Sequence, residues 1–422
     1  MVSLMHGRDM VLTAKMGFKN DGTIVGLDAN VVADAGAYPG IGTILTTLTQ
    51  QMSQGVYNIP KIDFNATSCV TNTTTTAAYR GAGRPEATQM LERVMDVGAD
   101  DLGIDPAELR RKNFLQPEQF PLTTLGGANY DSGDYEKSLD AVLEASGYQG
   151  LLAEQAARRE RGDTKQLGIG VSSYVEVTAP IGLHVEYGKV EINDDGSVTG
   201  RVGTSAHGQG HITAFSMIIS DMLGVSMDDI TILQSDTDEI PRGAGTMGSR
   251  SLQTAGSAMH VASETVLERG KKLAANMLEA AEGDIVTGDG GLMVAGSPDS
   301  KVSWAELATA AKDGGKQPEG MEAGPLEHEL DFDGKDSTYP FGSHVSVVEV
   351  DTETGATTML RHVAVDDCGT ILNPMLVAGQ QHGGIAQGAA QALYEIVAYD
   401  EDGNPITSNL MDYAMPSAAE FC

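Results

Sequence analysis

Glycine constrains this chain most. It occupies 51 of 422 positions without a collagen period. Many glycines fall in short clusters between apolar runs, where turns and close backbone approaches to a ligand require a residue without a side chain. The runs themselves alternate in type. Residues 11–16 and 23–32 read as strands flanking the turn Lys19-Asn20-Asp21-Gly22, and Asp-Gly between strand-like runs is a strong hairpin signal. The dipeptide recurs at Asp195-Gly196 and Asp402-Gly403, each expected in a hairpin; shared turn chemistry explains this better than duplication. Helices are expected over 83–102, with Pro85 at the start and apolar spacing at Met90, Leu91, Val94 and Val97, and over 105–113, opened by Asp105-Pro106. Residues 127–167 combine a glycine-rich loop, a polar helix over 135–147 and a charged run over 154–161, and read as a linker between two larger units. Beyond them, strands over 168–174, 183–192, 198–204 and 230–234 alternate with helices over 211–223 and 251–280. A hairpin over 343–350 and 357–365 and a helix over 374–395 follow. This mixture argues for α+β layers rather than one regular parallel sheet.

The length allows two or three domains with substantial cores. The 59 acidic against 27 basic residues give a formal net charge of −32, which repels phosphate backbones and anionic headgroups and argues against nucleic acid as a partner. The acidity is spread along the chain, as a saline cytoplasm or simple solubility would each favour. Cys69, Cys368 and Cys422 are the three cysteines, too few and too scattered for a disulfide framework or for the paired spacings of a zinc or iron–sulfur site. No run approaches the ~18 apolar residues that span a bilayer, and the start lacks a basic segment leading into an apolar core. The expectation is a cytoplasmic protein without membrane insertion.

Four glycine-bearing segments lie at strand–helix junctions, where backbone N–H groups can converge on an anion. The first is Ala78-Tyr79-Arg80-Gly81-Ala82-Gly83-Arg84-Pro85-Glu86-Ala87, with two arginines flanking two glycines; the competing account is a capping loop with exposed arginines. In the second, Ala206-His207-Gly208-Gln209-Gly210-His211, the glycines permit close approach and Gln209 can donate and accept at once. His207 and His211 stand four apart but bracket a turn without a nearby second carboxylate, so hydrogen bonding suits them better than metal ligation, and the expected metal ligand set is none. The third, Thr246-Met247-Gly248-Ser249-Arg250-Ser251, offers hydroxyls, amides and an arginine to a phosphate or pterin, or simply an N-cap from Ser249 or Ser251. The fourth runs from Asp366-Asp367-Cys368-Gly369 through Gly379-Gln380-Gln381-His382-Gly383-Gly384 to Gln387-Gly388, with glutamines able to face a cofactor, or small residues serving only a close helix contact.

In this order the segments resemble the molybdenum-binding large subunit of the molybdenum hydroxylases, the family of xanthine dehydrogenase, aldehyde oxidase and carbon monoxide dehydrogenase. The likeness runs from His6-Gly7-Arg8-Asp9 to Asp412-Tyr413, and the Ala78–Ala87 stretch and Gly208-Gln209-Gly210 are its most specific parts. It implies an α+β fold of two molybdopterin-binding domains, mixed hairpin sheets packed with helices. Residues 1–126 would be the C-terminal part of the first, 127–167 a linker, and 168–422 a C-terminally truncated second. The implied cofactor is molybdenum on the dithiolene of molybdopterin, in bacterial members usually the cytosine dinucleotide form, with no protein ligand to the metal. Arg80 matches the active-site arginine beside the molybdenum, within the motif that includes Ala78, Tyr79 and Gly81. Gln209, between Gly208 and Gly210, matches a pterin-contacting glutamine, and Gln380 a second. Thr246, Met247, Gly248, Ser249, Arg250 and Ser251 match the loop around the phosphates and pterin. One large cofactor requires Arg80, Gln209, Gly248 and Gln380 to converge.

The resemblance further implies a molybdenum-dependent oxidoreductase that hydroxylates an aldehyde or N-heterocycle with water-derived oxygen. Its electrons would leave through a separate iron–sulfur small subunit and an FAD medium subunit, in a dimer of heterotrimers. Two departures stand out. In copper-containing carbon monoxide dehydrogenases a cysteine follows the motif arginine, where this chain has Gly81. The family's base is a glutamate in a glycine-rich motif near the C-terminus, which this chain does not carry, so the general base is expected outside the chain and Glu86 is its first substitute. The chain reads as a fragment or split subunit, inactive alone; a non-catalytic remnant that only folds or associates is the alternative.

Overall fold

The computed structural model describes residues 3–180 and 182–420; Met1 and Cys422 lie outside them. Two compact units form, each discontinuous in sequence. The first holds the residues up to Glu176, Thr338–Thr370 and those from Gly379 on; the second holds Val177–Ser337 and Ile371–Ala378. Among the described residues no helix is long and apolar enough to cross a membrane.

The chain begins in the first unit with β1 (Met10–Phe18), β2 (Ile24–Asp34), α1 (Leu45–Gln51), β3 (Ile62–Cys69), α2 (Arg84–Leu102) and α3 (Pro106–Asn113). Short β4 (Leu122–Thr123) and β5 (Asn129–Tyr130) precede α4 (Tyr135–Ser146), α5 (Tyr148–Arg161) and β6 (Lys165–Val175). The second unit supplies β7 (Val185–Ile192), β8 (Val198–Val202), α6 (His211–Leu223), β9 (Ile230–Leu233) and α7 (Ser257–Leu278). It continues with β10 (Ile285–Gly288), β11 (Gly291–Val294), β12 (Ser297–Ser303), α8 (Trp304–Asp313) and β13 (Glu327–Asp333). Then come β14 (Phe341–Asp351), β15 (Thr357–Asp367) and α9 (Pro374–Leu393). The mixed α+β architecture is the expected class.

In the first unit β1 and β2 pair antiparallel across the Asp21-Gly22 turn, and β3 adds parallel to β2. Leu27, Ala29, Val31 and Ala33 alternate inward along β2 and are buried, the two-residue period of a half-buried strand. A second sheet has the order β15-β14-β6. Its strands β6 and β14 register antiparallel from Lys165 with Asp351 to Val175 with Phe341, although most of the second unit lies between them in sequence. The expected linker therefore does not separate two units. Tyr135, Leu139 and Val142 put a buried stripe on α4, which packs on β14 and β15, and α5 packs on β6. Both helices belong to the first unit, where β14 and β15 cover that stripe and β6 covers α5. The charged run at 154–161 is the solvent face of α5, where Arg158 pairs with Glu154 and Glu349. The third expected hairpin, at Asp402-Gly403, is reduced to a turn with a single bridge between Tyr399 and Pro405.

One ionic cluster ties the helices of this unit together. Arg110 of α3, fully buried, donates from Nε to Glu92 Oε2 at 2.8 Å and from Nη2 to Asp96 Oδ1 at 2.8 Å. Glu92 of α2 also accepts the Ser173 N–H of β6 at 2.9 Å and the Tyr57 phenol.

The second unit holds a β13-β7-β8-β9 sheet, antiparallel except for the parallel β8–β9 pair, and a smaller antiparallel β10-β11-β12 sheet. Helix α7 lies across β7 and β13, and α6 packs on α7 and β9. Val190, Val198, Phe215, Ile219, Met259, Val266, Leu292 and Trp304 form one buried core. The Trp304 indole N–H finds the Leu223 carbonyl at 2.8 Å, satisfying the polar end of an otherwise apolar anchor.

Removing Arg110 leaves Glu92 charged and buried without its cation. Arg110→Met is expected to cost about 3–5 kcal/mol of stability, read as a lowered urea midpoint at pH 7. An unchanged midpoint would show that the pair does not hold the unit together.

Candidate functional site

The first and fourth glycine segments meet inside the first unit. The backbone of Gly81, Ala82 and Gly83 runs through φ values of 101°, 40° and 90°, the left-handed region that costs an alanine about 1–3 kcal/mol. This bend ends where α2 begins, at Arg84 with Pro85 in its first turn. Glu86 closes the bend, its Oε2 accepting the Gly83 N–H at 2.9 Å. A Cβ at Gly81 would stand 2.4 Å from Pro85 Cγ, so the position accepts no ordinary side chain in this conformation.

Arg80 is exposed and yet fixed at its guanidinium. Nη2 donates to the Gln380 carbonyl at 2.9 Å and to Gln380 Oε1 at 3.3 Å, and Nη1 to Gln387 Oε1 at 3.2 Å. Gly383 and Gly384 lie against it: a Cβ at either would come within 3.6 Å of the guanidinium. Arg84, by contrast, is buried and its Nε donates to Glu176 Oε1 at 2.6 Å. The two flanking arginines thus have different tasks, and only Arg80 presents a charge at the surface of the loop.

The helix that carries Gln380 is anchored one residue on. Gln381 Nε2 donates to Asp366 Oδ2 at 2.7 Å, while Asp366 Oδ1 accepts the Tyr174 phenol at 2.8 Å and His344 Nε2 at 2.9 Å. His344 Nδ1 then faces His362 Nε2 at 3.1 Å, and His362 Nδ1 faces Ser346 Oγ at 2.8 Å. Burial opposes the charge on Asp366, but the bonds from His344, Gln381 and Tyr174 outweigh it and hold the carboxyl below its usual range. Burial, and then His344 beside it, push His362 down to about 4.

The second and third segments meet inside the second unit. Thr246 Oγ1 accepts the Ser205 N–H at 2.8 Å and donates to the Ser205 carbonyl at 2.6 Å, sewing the two loops together. The backbones touch at two glycines, where a Cβ on Gly243 would lie 2.5 Å from Gly203 Cα. Gln209 Oε1 turns back to accept the His207 N–H at 2.5 Å. Gly210 is the residue before α6, so the helix N-terminus opens beside this turn.

Arg250 departs from the sequence expectation. Its side chain is fully buried against Glu186, also fully buried, and it donates to the carbonyls of Leu183, Gly245 and Val185. A guanidinium so occupied braces the loop from inside and does not offer itself to a phosphate. The N-cap alternative also fails: Arg250 occupies that position, no side chain caps the helix end, and residues Ser251–Gly256 form a π-helical turn before α7. Met247 and Ser249 stay exposed, Gly248 is half-buried and Ser251 buried. Ser251 Oγ, Thr204 Oγ1 and His211 Nδ1 are buried with no hydrogen-bond partner. Burial holds His211 below the ordinary imidazole range, while His207 is exposed. Among the described residues, no group of three or more His, Cys, Asp or Glu is placed to hold a metal ion.

Sequence reasoning named Gln387 but not its bond to Arg80, and it missed Glu86 as the cap of the bend, Glu186 as the partner of Arg250, and the contact of Arg8 with Arg80. Only Glu86 carried a local signal, three residues after Gly83. The rest are long-range contacts.

Comparison with known proteins follows the same segments. Residues 1–114 and residues 141–422 each match a molybdopterin cofactor-binding domain. The chain is 38% identical to the carbon monoxide dehydrogenase large chain of Hydrogenophaga pseudoflava, over 98% of this chain and 53% of that one. It is 33% identical to the nicotine 6-hydroxylase large subunit of Paenarthrobacter nicotinovorans, over 98% and 52%. Among solved structures, quinoline 2-oxidoreductase from Pseudomonas putida 86 superposes with a TM-score of 0.92 at 33% identity, over 99% of this chain and 55% of that chain. A Cu,Mo-CO dehydrogenase gives 0.90 at 34%, over 99% and 55%. The chain spans about half the length of the curated relatives it matches.

The depressed His362 sets a pH window. An unfolded imidazole takes its proton near 6.5, the folded one near 4, so between these values the unfolded chain binds more protons and stability falls as pH falls. His362→Gln is expected to give a shallower decline of the urea midpoint between pH 6.5 and pH 4 than the parent chain. Equal slopes would contradict the burial argument.

Proposed function

Because this chain belongs to the molybdopterin cofactor-binding domain family, we propose that it is the molybdopterin-binding part of an oxidoreductase that hydroxylates an aldehyde or an N-heterocycle with water-derived oxygen. The observation that carries this reading is the surface-presented, immobilised Arg80 at the mouth of a strained glycine bend. When bound, the molybdenum centre supplies the two-electron chemistry that separate iron–sulfur and FAD subunits then drain.

The residues present fit such a group. Ser251 Oγ, Thr204 Oγ1 and His211 Nδ1 are buried and unpartnered beside the two joined loops, and buried polar atoms without partners are rare unless a ligand or water satisfies them. Their chemistry suits a polar, anionic ligand: hydroxyls, an imidazole nitrogen, and an open helix N-terminus. In the second unit Gly208, Gln209 and Gly210 would contact the pterin, and Thr246, Met247, Gly248, Ser249 and Ser251 the pterin and phosphates of a cytosine dinucleotide form; in the first unit Gln380, as the family resemblance implies, is the candidate pterin contact. Arg250 would act through its brace on that loop. Ala78, Tyr79, Arg80 and Gly81 would lie toward the substrate. There Arg80 would stabilise negative charge that develops on a substrate oxygen or nitrogen.

Gly81 supports an aldehyde or N-heterocycle over carbon monoxide as the substrate. A copper-ligating cysteine at that position would need both a left-handed backbone and the space taken by Pro85.

The test is made on the assembled enzyme, by metal mass spectrometry together with nucleotide release on acid hydrolysis. Gln209→Ala is expected to lower molybdenum and pterin content several-fold, since an amide edge worth ~1–3 kcal/mol is lost. Full content in that variant, or content equally low in the parent, would overturn the assignment.

A further inference from the structure

Arg8 reaches the Arg80 loop from the start of the chain, and no part of the reading above uses it. Its side chain is 10% exposed. Nη2 donates to the backbone carbonyl of Arg80 itself, Nη1 to Glu86 Oε2 at 3.2 Å, and Nε to Gln391 Oε1 of α9 at 2.8 Å. The guanidinium also lies over the Tyr79 ring, 4.9 Å from its centroid. Arg8 itself sits at φ +63°, a left-handed conformation that an arginine adopts only when its surroundings hold it there. A parallel bridge between His6 and Thr76, with the Ala77 N–H on the His6 carbonyl at 2.8 Å, supplies that hold.

We propose that Arg8 is the positioning residue for Arg80: one planar fork sets the main chain of Arg80, the carboxylate that caps its bend, and the helix that receives its guanidinium. The proposal rests on the reading of Arg80 as the substrate-side charge of the site. Glu86 Oε2 is shared between Arg8 and the Gly83 N–H, so the bend and the fork are a single hydrogen-bonded unit. Gln391 lies on the same helix as Gln380 and Gln387, the acceptors of Arg80. Movement of Arg8 therefore shifts both ends of Arg80, its carbonyl and its guanidinium. A lysine can pair with Glu86 but, as a single ammonium on a flexible stem, cannot hold three acceptors in one plane.

Hydrogen exchange of the full chain, read on the peptide covering Ala82 and Gly83, tests this without any cofactor. Arg8→Lys and Arg8→Met are both expected to speed exchange there about tenfold, with α7 unchanged and Arg8→Lys melting like the parent. Arg8→Gln, which removes the fork and leaves Glu86 on the Gly83 N–H, keeps the readout if Arg8→Met alone fails to fold. Parent-like exchange in Arg8→Lys would reduce Arg8 to a counter-charge and overturn the proposal, as would unchanged exchange in Arg8→Gln. In the assembled enzyme, assayed with benzaldehyde and a dye acceptor, Arg8→Lys should lower kcat by up to about 10²-fold, the scale of a small misplacement of a catalytic group, with KM held. Arg80→Ala without effect on turnover would instead defeat the reading of Arg80, and the exchange result would stand apart from it.

Discussion

The buried Glu92–Arg110 pair is the interaction on which the first unit depends. Two charges taken out of water are costly unless every lone pair and proton is matched, and here Glu92 gathers Arg110, the Ser173 N–H and the Tyr57 phenol onto one carboxylate. Burial, and then the charge of Glu92, push the Tyr57 phenol well above its ordinary range, so it remains a donor. The consequence is mechanical. Helix α2 is joined through Glu92 to α3 and to β6, and the N-terminus of that same helix carries the Arg80 bend. The position of the exposed arginine is thereby inherited from a buried one.

The second unit repeats the device with Glu186 and Arg250. Both side chains are fully buried, and Arg250 also donates to the Gly245 carbonyl of its own loop and to the Leu183 and Val185 carbonyls at the start of β7. A loop with φ of 81°, 58° and 54° at Gly245, Gly248 and Ser249 has little regular hydrogen bonding of its own, so an internal guanidinium takes over that task. The buried Arg250 shapes its loop, and in the first unit the exposed Arg80 faces outward from its own.

How much of this was legible in the chain depends on how far apart the interacting residues lie. The Asp21-Gly22 and Asp195-Gly196 hairpins, the start of α2 at Pro85 and the cap of α3 by Asp105 were readable, because turn and cap chemistry acts over a few residues. The glycine segments were readable as places where backbone must approach something. Whether Arg84 and Arg250 faced outward was not readable, since their partners Glu176 and Glu186 stand 92 and 64 residues away. Periodicity marks a buried face on α4 but does not say which sheet covers it, and so the linker reading of 127–167 failed.

The sequence by itself determined the α+β class, most element boundaries, the family resemblance, and Arg80, Gln209 and Gln380 as residues of interest, because local propensity and motif spacing are written in neighbouring residues. Only the tertiary structure decided that β6 joins β14 across most of the second unit, that Arg250 is a brace, and that Arg8 meets the Arg80 carbonyl 72 residues on. Those outcomes come from burying apolar faces and matching buried charges. Such terms belong to residue pairs brought together by the fold, and no stretch of chain carries both partners.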